Sequence, residues 1–212
     1  MKLIGFANLK GGVAKTTSAI HFTYWVAALK RLEAVLIDDA HNRSALKWFS
    51  RAKENTKFSP PFEVAPSTKI ARASQGKEMV VLDTQASISK EALQGLAEDC
   101  DLVVVPTKAD IDSIMGAVNT VDVIKENGGD YRILITDCPP APSKIGLEAQ
   151  EALIDDGYQV IEQRIRSGAG VHLASLPGTT VAQQPSKYLG PWWDYRQAFT
   201  DIYEILDDLS AT

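Results

Sequence analysis

The sequence predicts an α/β fold, a doubly wound, mostly parallel sheet with helices on both faces, and three observations predict it. Short continuous apolar runs recur along the chain at residues 34–37, 79–82, 102–106 and 133–136, the first two closed by the carboxylates Asp38 and Asp83. Stretches of helical periodicity separate these runs, and strands that alternate with helices build parallel sheets covered on both faces. The stretch Lys10-Gly-Gly-Val-Ala-Lys-Thr-Thr17 lies between the apolar residues 3–7 and a helical pattern, which makes it a strand, a glycine turn and a helix N-terminus in series.

Each element follows from its own residues. After the first strand, a helix is expected from Thr16 to about Lys30, with Ile20, Trp25, Ala28 and Leu29 facing the core. Residues 34–37 end in Asp38-Asp39 and form a central strand whose carboxylates sit at its C-terminal end, where ligands of open α/β sheets bind. A helix follows from Ser44, capped by Asn42 or Ser44, until Ser59-Pro60-Pro61 breaks the pattern. A weak strand at 62–65 and a polar, helix-like stretch at 67–75 precede the run that ends in Asp83. The later strands are followed by helices at 111–125 and 145–155, and a final strand is expected at 159–165. The segment 179–187 is polar and turn-prone, and 188–193 supplies an aromatic cluster. A last helix at 195–209 places Phe199, Ile202, Tyr203, Ile205, Leu206 and Leu209 on one stripe. Its other face carries Asp201, Glu204, Asp207 and Asp208, which anionic headgroups would repel, so it is a helix that docks on the sheet and not on a membrane.

Composition sets the bounds. The chain has 212 residues, a length that suits a single domain spanning 1–212. With 45% hydrophobic and 23% charged residues it reads as a soluble globular protein, and its apolar runs are too short for a signal core or a membrane span, so a cytoplasmic location is expected. Cys100 and Cys138 have no metal or disulfide spacing and read as reduced, buried thiols. The formal net charge of −5 excludes a wholly basic nucleic-acid binder while leaving room for a local basic patch.

The glycine stretch carries the chemistry. Small residues at Gly11, Gly12, Val13 and Ala14 let successive main-chain N–H groups converge on an anion, and the positive end of the next helix adds to that field. Lys15 can reach terminal phosphates, and the Thr16 hydroxyl can hold a magnesium ion (Mg2+) together with the strand-end carboxylates Asp38 and Asp83. The general phosphate-loop pattern fails at both of its glycines, where Leu9 and Ala14 stand, whereas K-G-G-x-x-K-[ST]-[ST] fits, with a second lysine at Lys10. If the backbone at Ala14 needs a positive φ, alanine strains it by roughly 1 kcal/mol.

These residues resemble the ParA/MinD family of ATPases, phosphate-loop (P-loop) NTPases with a deviant Walker A motif. The resemblance covers nearly the whole chain and is specific at 10–17, 37–40 and 82–84. It implies ATP as the ligand, with Lys15, Thr16 and Thr17 on the phosphates and Mg2+, and Asp83 as the Walker B aspartate. It further implies an ATP-dependent homodimer in which Lys10 reaches across to the partner's phosphates, nonspecific DNA binding that associates the dimer with the nucleoid, and a small adaptor protein on the cargo. That cargo would be a plasmid, a chromosome region or a protein compartment such as a carboxysome. The chain looks like a small ParA without an N-terminal operator-binding domain. Candidate DNA contacts are Lys144, Arg164, Arg166, Lys187 and Arg196.

Two departures from the family pattern stand out. The family shows Asp-x-Asp after the second strand, the later aspartate positioning the attacking water, and here the sequence is Asp38-Asp39-Ala40. Ala40 cannot orient water or accept a proton, so slow or trapped hydrolysis is expected unless Asp38 or Asp39 takes over. The following His41-Asn42-Arg43 replaces the family's Pro-Gln-Gly. Two other functions remain open from the residues: a metabolic ligase resembling dethiobiotin or cobyrinate synthetases, and a nucleotide-dependent scaffold without useful turnover. The iron–sulfur carrier branch is excluded because no Cys-x-x-Cys is present.

Overall fold

A computed structural model describes residues 1–55 and 57–210. Six strands form one sheet: β1 (Lys2–Phe6), β2 (Ala34–Asp38), β3 (Glu63–Pro66), β4 (Met79–Asp83), β5 (Leu102–Thr107) and β6 (Tyr131–Ile135). All pairings are parallel and the order is β3-β2-β4-β1-β5-β6. Side-chain alternation along the strands feeds a core on each face, with a smaller cluster of Val35, Ile37 and Val80 between β2 and β4. Ile4, Phe6, Leu36, Val81, Val104 and Leu134 point to one face, and Val103, Val105, Ile133 and Ile135 to the other.

The first face is covered by α1 (Lys15–Trp25), α2 (Ser44–Glu54) and α8 (Gly190–Leu209). Phe22 and Trp25 of α1 meet Phe199 of α8, the first pair edge-to-face with ring centroids 5.2 Å apart. Each fully buried ring of this kind contributes about 2–3 kcal/mol. The opposite face is covered by α4 (Lys90–Asp99), α5 (Ile111–Glu126) and α6 (Ile145–Asp155), while the short α3 (Ile70–Ala73) lies beside β3 and α7 (Ala169–Ser175) sits near α8. Ser89 and Asp110 cap α4 and α5, accepting N–H bonds from Ala92 and Ser113. Both cysteines are buried free thiols, and burial pushes the Cys100 thiol up to about 12, which keeps it protonated and inert.

Four expectations need correction. Leu29 is 41% exposed because α1 widens into a π-helical turn at Val26–Lys30, which shifts the angular register and leaves Phe22 and Val26 in the core instead. Neither Asn42 nor Ser44 caps α2: Arg43 takes the N-cap position in a left-handed conformation with φ 52°, and the Leu46 N–H is received by the Asp38 carboxylate at 2.9 Å. The segment expected as a final strand, 159–165, makes only isolated bridges, Ile133 with Val160 and Cys138 with Arg166. Between them the Gln150 amide binds the carbonyls of Ile161 and Glu162, so the chain bends away before a continuous ladder can form. The last helix begins at Gly190, five residues before the expected 195, because Pro191 suits a first helical turn and carries Trp192 and Tyr195 into the core.

Candidate functional site

The glycine stretch leaves the C-terminal end of β1 and turns into α1 at the middle of the sheet. Gly12 has φ 76° and Ala14 φ 66°, so two left-handed residues fold the turn back over the helix N-terminus. The positive φ at Ala14 makes the anticipated strain real, since a Cβ crowds the neighbouring carbonyl there. Ala14→Gly is therefore expected to stabilise the fold by no more than about 0.5 kcal/mol, the relieved strain less the added unfolded-chain entropy, as read by urea denaturation. A variant less stable than the parent by about 0.5–1 kcal/mol, the entropy cost alone, would show that the turn carries no strain.

Neighbouring elements brace the turn. Asn8, fully buried, donates to the Pro106 carbonyl at 2.8 Å and accepts the Lys10 N–H at 2.7 Å. The Leu9 N–H donates to the Thr120 hydroxyl of α5, and the Thr136 hydroxyl donates to the Val13 carbonyl. Gly116 allows α5 to lie this close, because a Cβ there would stand 2.8 Å from Lys10 Cβ. None of these braces was singled out in the sequence; most couple the turn to residues about 100 or more positions away, which only the fold brings together.

Lys15 folds over the turn, its ammonium donating to the carbonyls of Asn8 at 3.1 Å and Lys10 at 2.9 Å. Burial pushes its pKa down, and the nearby Asp83 carboxylate partly opposes that. Asp83 ends β4, is fully buried, and has no hydrogen-bond partner for either carboxylate oxygen. Desolvation is the main reason its pKa rises to about 7; the Thr16 hydroxyl nearby acts against the rise without reaching hydrogen-bond geometry, and the Asp38 and Asp39 charges add to it. Asp38, opposite Asp83 in the β2–β4 register, is also buried, but its two oxygens accept the N–H groups of Ala40 at 3.0 Å and Leu46 at 2.9 Å. The strand-end carboxylates are thus unlike: Asp38 anchors the turn into α2, and Asp83 is left without a partner.

A cavity of about 570 Å³ opens along this edge. The stretch from Gly12 to Thr17, Val13 apart, lines its floor, Ala40 to Asn42 with Ser44 and Thr84 to Ala86 line one wall, and Asp137, Arg166 to Gly168, Val171 and Tyr195 close its far end. The far end is tied to the floor. Tyr195 hydroxyl and Ser18 hydroxyl lie 3.1 Å apart, and His21 is held between the Thr17 carbonyl at 2.7 Å and the Val181 N–H at 3.0 Å. Burial lowers the His21 pKa to about 4, so it is neutral, with Nδ1 donating and Nε2 accepting. Arg166 makes two bonds of 2.7 Å to the buried Asp194 carboxylate, fixing the 165–168 segment to α8.

The sequence-expected residues therefore converge in part. Gly12, Ala14, Lys15, Thr16, Thr17 and Ala40 all line one cavity, Asp83 lies beneath it, Gly11 packs near Ala86, and Val13 is buried under the turn. The exposed Lys10 side chain points along α5 toward Asp112, 3.8 Å away. Of the candidate cations, Arg166 is neutralised by Asp194, whereas Arg164 lies against Gly146 beside Lys144 and Cys138. Arg196 stacks over the exposed Trp193 and Lys187 over Tyr188. Among the described residues no group of three or more His, Cys, Asp or Glu side chains could hold a metal by itself, and no helix is long and apolar enough to cross a membrane.

Known proteins resemble this chain in sequence or in fold. The chain is 27% identical over 214 residues to the maintenance of carboxysome distribution protein A of Gloeobacter kilaueensis, covering 98% of this chain and 94% of that protein. It superposes on apo McdA of Cyanothece with a TM-score of 0.74 at 12% identity, covering 93% of this chain and 99% of that one. The MinD cell division protein of Aquifex aeolicus gives 0.73 at 13% identity, covering 96% and 98%. Residues 1–140, which hold the phosphate-loop turn, both strand-end aspartates and all six strands, match the model of the VirC1 protein family. The chain belongs to the VirC1 family and has the fold of the ParA/MinD-type ATPases.

Proposed function

We propose that the protein binds ATP with magnesium, closes on it as a homodimer, and in that state binds DNA without sequence preference to position a cargo through an adaptor. The observation that carries this reading is the buried, unpartnered Asp83 near Thr16 and Lys15, beneath the floor of a cavity large enough for a nucleotide. A buried carboxylate lacking any donor calls for a cation, and hard oxygen donors such as carboxylate and hydroxyl suit Mg2+. Because both Asp38 oxygens already accept main-chain N–H bonds, the ion is assigned to Thr16 and Asp83 rather than to Asp38. Bound there, the ion would neutralise phosphate charge and remove the desolvation penalty of Asp83.

The chain's own groups complete the site. Main-chain N–H groups of the turn and the α1 N-terminus would hold the phosphates, and Lys15 would exchange its two carbonyl partners for phosphate oxygens. Lys10, whose half-exposed side chain is 3.8 Å from Asp112, is available to a second copy. Lys144, Arg164 and Arg196, the last stacked on the exposed Trp193, are the cations left for an electrostatic DNA surface, whereas the ion-paired Arg166 serves the fold. The carboxysome protein of Gloeobacter makes a protein compartment one candidate cargo, beside a plasmid or a chromosome region.

Calorimetry, light scattering and DNA retention test the reading together. The parent should bind ATP, become dimeric with ATP and remain monomeric with ADP, and hold DNA only as the dimer, with steep salt dependence. Lys15→Ala should abolish ATP binding and everything after it, while Lys10→Ala should bind ATP and fail to dimerise. Unchanged ATP affinity in Lys15→Ala would overturn the site, and equal DNA retention with ATP and ADP would overturn the switch.

A further inference from the structure

Position 40 presents a methyl group to the cavity where hydrolysis needs a group that can hold water. The geometry of the neighbouring strand supplies one. Asp38 pairs with Asp83 in the β2–β4 register, and the Asp39 N–H donates to the Asp83 carbonyl at 3.0 Å, so the two chains leave the sheet side by side. Ala40 and Gln85 are each two residues beyond that pair, and both line the cavity that Lys15 and Thr16 floor.

Main-chain contacts to both flanks of the phosphate turn fix the segment that carries Gln85. The N–H and hydroxyl of Thr84 donate to the Phe6 carbonyl at 3.2 and 2.9 Å, and the Ser87 N–H donates to the Leu9 carbonyl at 3.2 Å. Within this rigid frame the half-buried Gln85 carboxamide makes no hydrogen bond to any described residue. Several other polar groups on these walls are engaged: Asn42 accepts from the Ser44 hydroxyl, the Thr136 hydroxyl is directed at the Val13 and Thr107 carbonyls, and Lys108 pairs with Asp137 at 2.9 Å. A carboxamide can accept from a water and donate to a phosphate oxygen at once, which is the pair of bonds that aims a water at phosphorus.

We propose that Gln85 orients the attacking water, in place of the carboxylate that Ala40 lacks. This rests on the ATPase reading above. The water oxygen bonds to the γ-phosphorus as the bond from that phosphorus to the β,γ-bridging oxygen breaks; ADP leaves with the electron pair, and the water's proton passes to an oxygen of the product phosphate. The amide takes up no proton, so Gln85 acts by positioning the water alone.

Single-turnover hydrolysis, ATP affinity by calorimetry, and affinity for ADP with aluminium fluoride, a mimic of the transferring phosphoryl group, are measured on the parent and on Gln85→Ala. The variant is expected to hydrolyse ATP on the order of ten- to a hundredfold more slowly and to lose a similar factor for the mimic, with ATP affinity within about twofold, because a water-orienting group acts in the transition state and not in the ground state. In an Ala40→Asp background the same substitution should slow hydrolysis far less, since the two groups would serve one water. Unchanged rate and mimic affinity overturn the role of Gln85, as does a parallel loss of ATP affinity or a parent that binds ATP without turning it over. A parent that binds no ATP overturns the ATPase reading itself.

Discussion

Ala40→Asp accelerates single-turnover hydrolysis by on the order of a hundredfold while ATP affinity changes by no more than about twofold. Residue 40 is held in place before any side chain is considered, because its N–H donates to Asp38 Oδ1 and the next turn locks into α2 through Leu46. A carboxylate grafted there starts from a preset backbone and faces the cavity in which the phosphates would lie. It also joins Asp38, Asp39 and Asp83, so repulsion should hold its own pKa above the ordinary carboxylate range and make it a better proton acceptor near neutral pH. Binding should survive because Lys15, Thr16 and the main-chain N–H groups do not depend on position 40. A rate that does not rise in rapid-quench measurements would show that the chain has no hydrolysis defect at this position.

The second large effect concerns stability. Asp83 titrates near 7 in the folded chain and near 3.8 when unfolded, so between those values the folded state binds the extra proton. Stability from this group is therefore full below about 4 and is lost as pH rises to about 7, a swing of at most about 4 kcal/mol for three units. His21 works in the opposite direction, since its folded pKa of about 4 lies below the unfolded 6.5 and destabilises the fold as the solution becomes acidic. Comparing the parent with Asp83→Asn isolates the aspartate. The asparagine variant should gain on the parent from about pH 4 to about pH 7 in urea unfolding and then level off, whatever constant offset its own unpaired amide imposes. Magnesium with ATP should flatten the parent's dependence and leave the variant's unchanged. Parallel stability curves for the two proteins would mean that Asp83 is ionised and satisfied in the folded apo chain.

The sheet was legible because parallel strands buried on both faces are continuous apolar runs, and five of the strands begin and end within two residues of those runs. The phosphate turn was legible because its chemistry lies in consecutive residues. What was not legible depends on geometry between distant segments. Asp38 reads in the sequence as a strand-end carboxylate for a metal, and only the path of the chain from β2 back into α2 shows that it also accepts the Leu46 N–H in the first turn of that helix. Tyr195 had no role in the sequence beyond marking the start of the last helix, yet α8 carries it to the wall of the cavity, where Ser18 meets its hydroxyl. The 159–165 segment has strand composition, and a single glutamine on α6 captures the carbonyls that a ladder would have used. Gln85 had no motif to announce it, because its significance depends on what residue 40 lacks.

The bonds that close the far end of the cavity differ in what they ask of later sequence change. His21 receives the main-chain N–H of residue 181, so any residue except proline could stand there and the bond would persist. Arg166 reads a side chain, gripping Asp194 through both of its oxygens; losing the arginine would strand the buried aspartate charge, and losing the aspartate would release the 165–168 segment from α8. Ser18 and Tyr195 meet through hydroxyls, so either could lose its oxygen at the cost of a single hydrogen bond. The C-terminal third can therefore diverge widely in composition while the shape of the site is retained, provided that one arginine–aspartate pair changes only in concert.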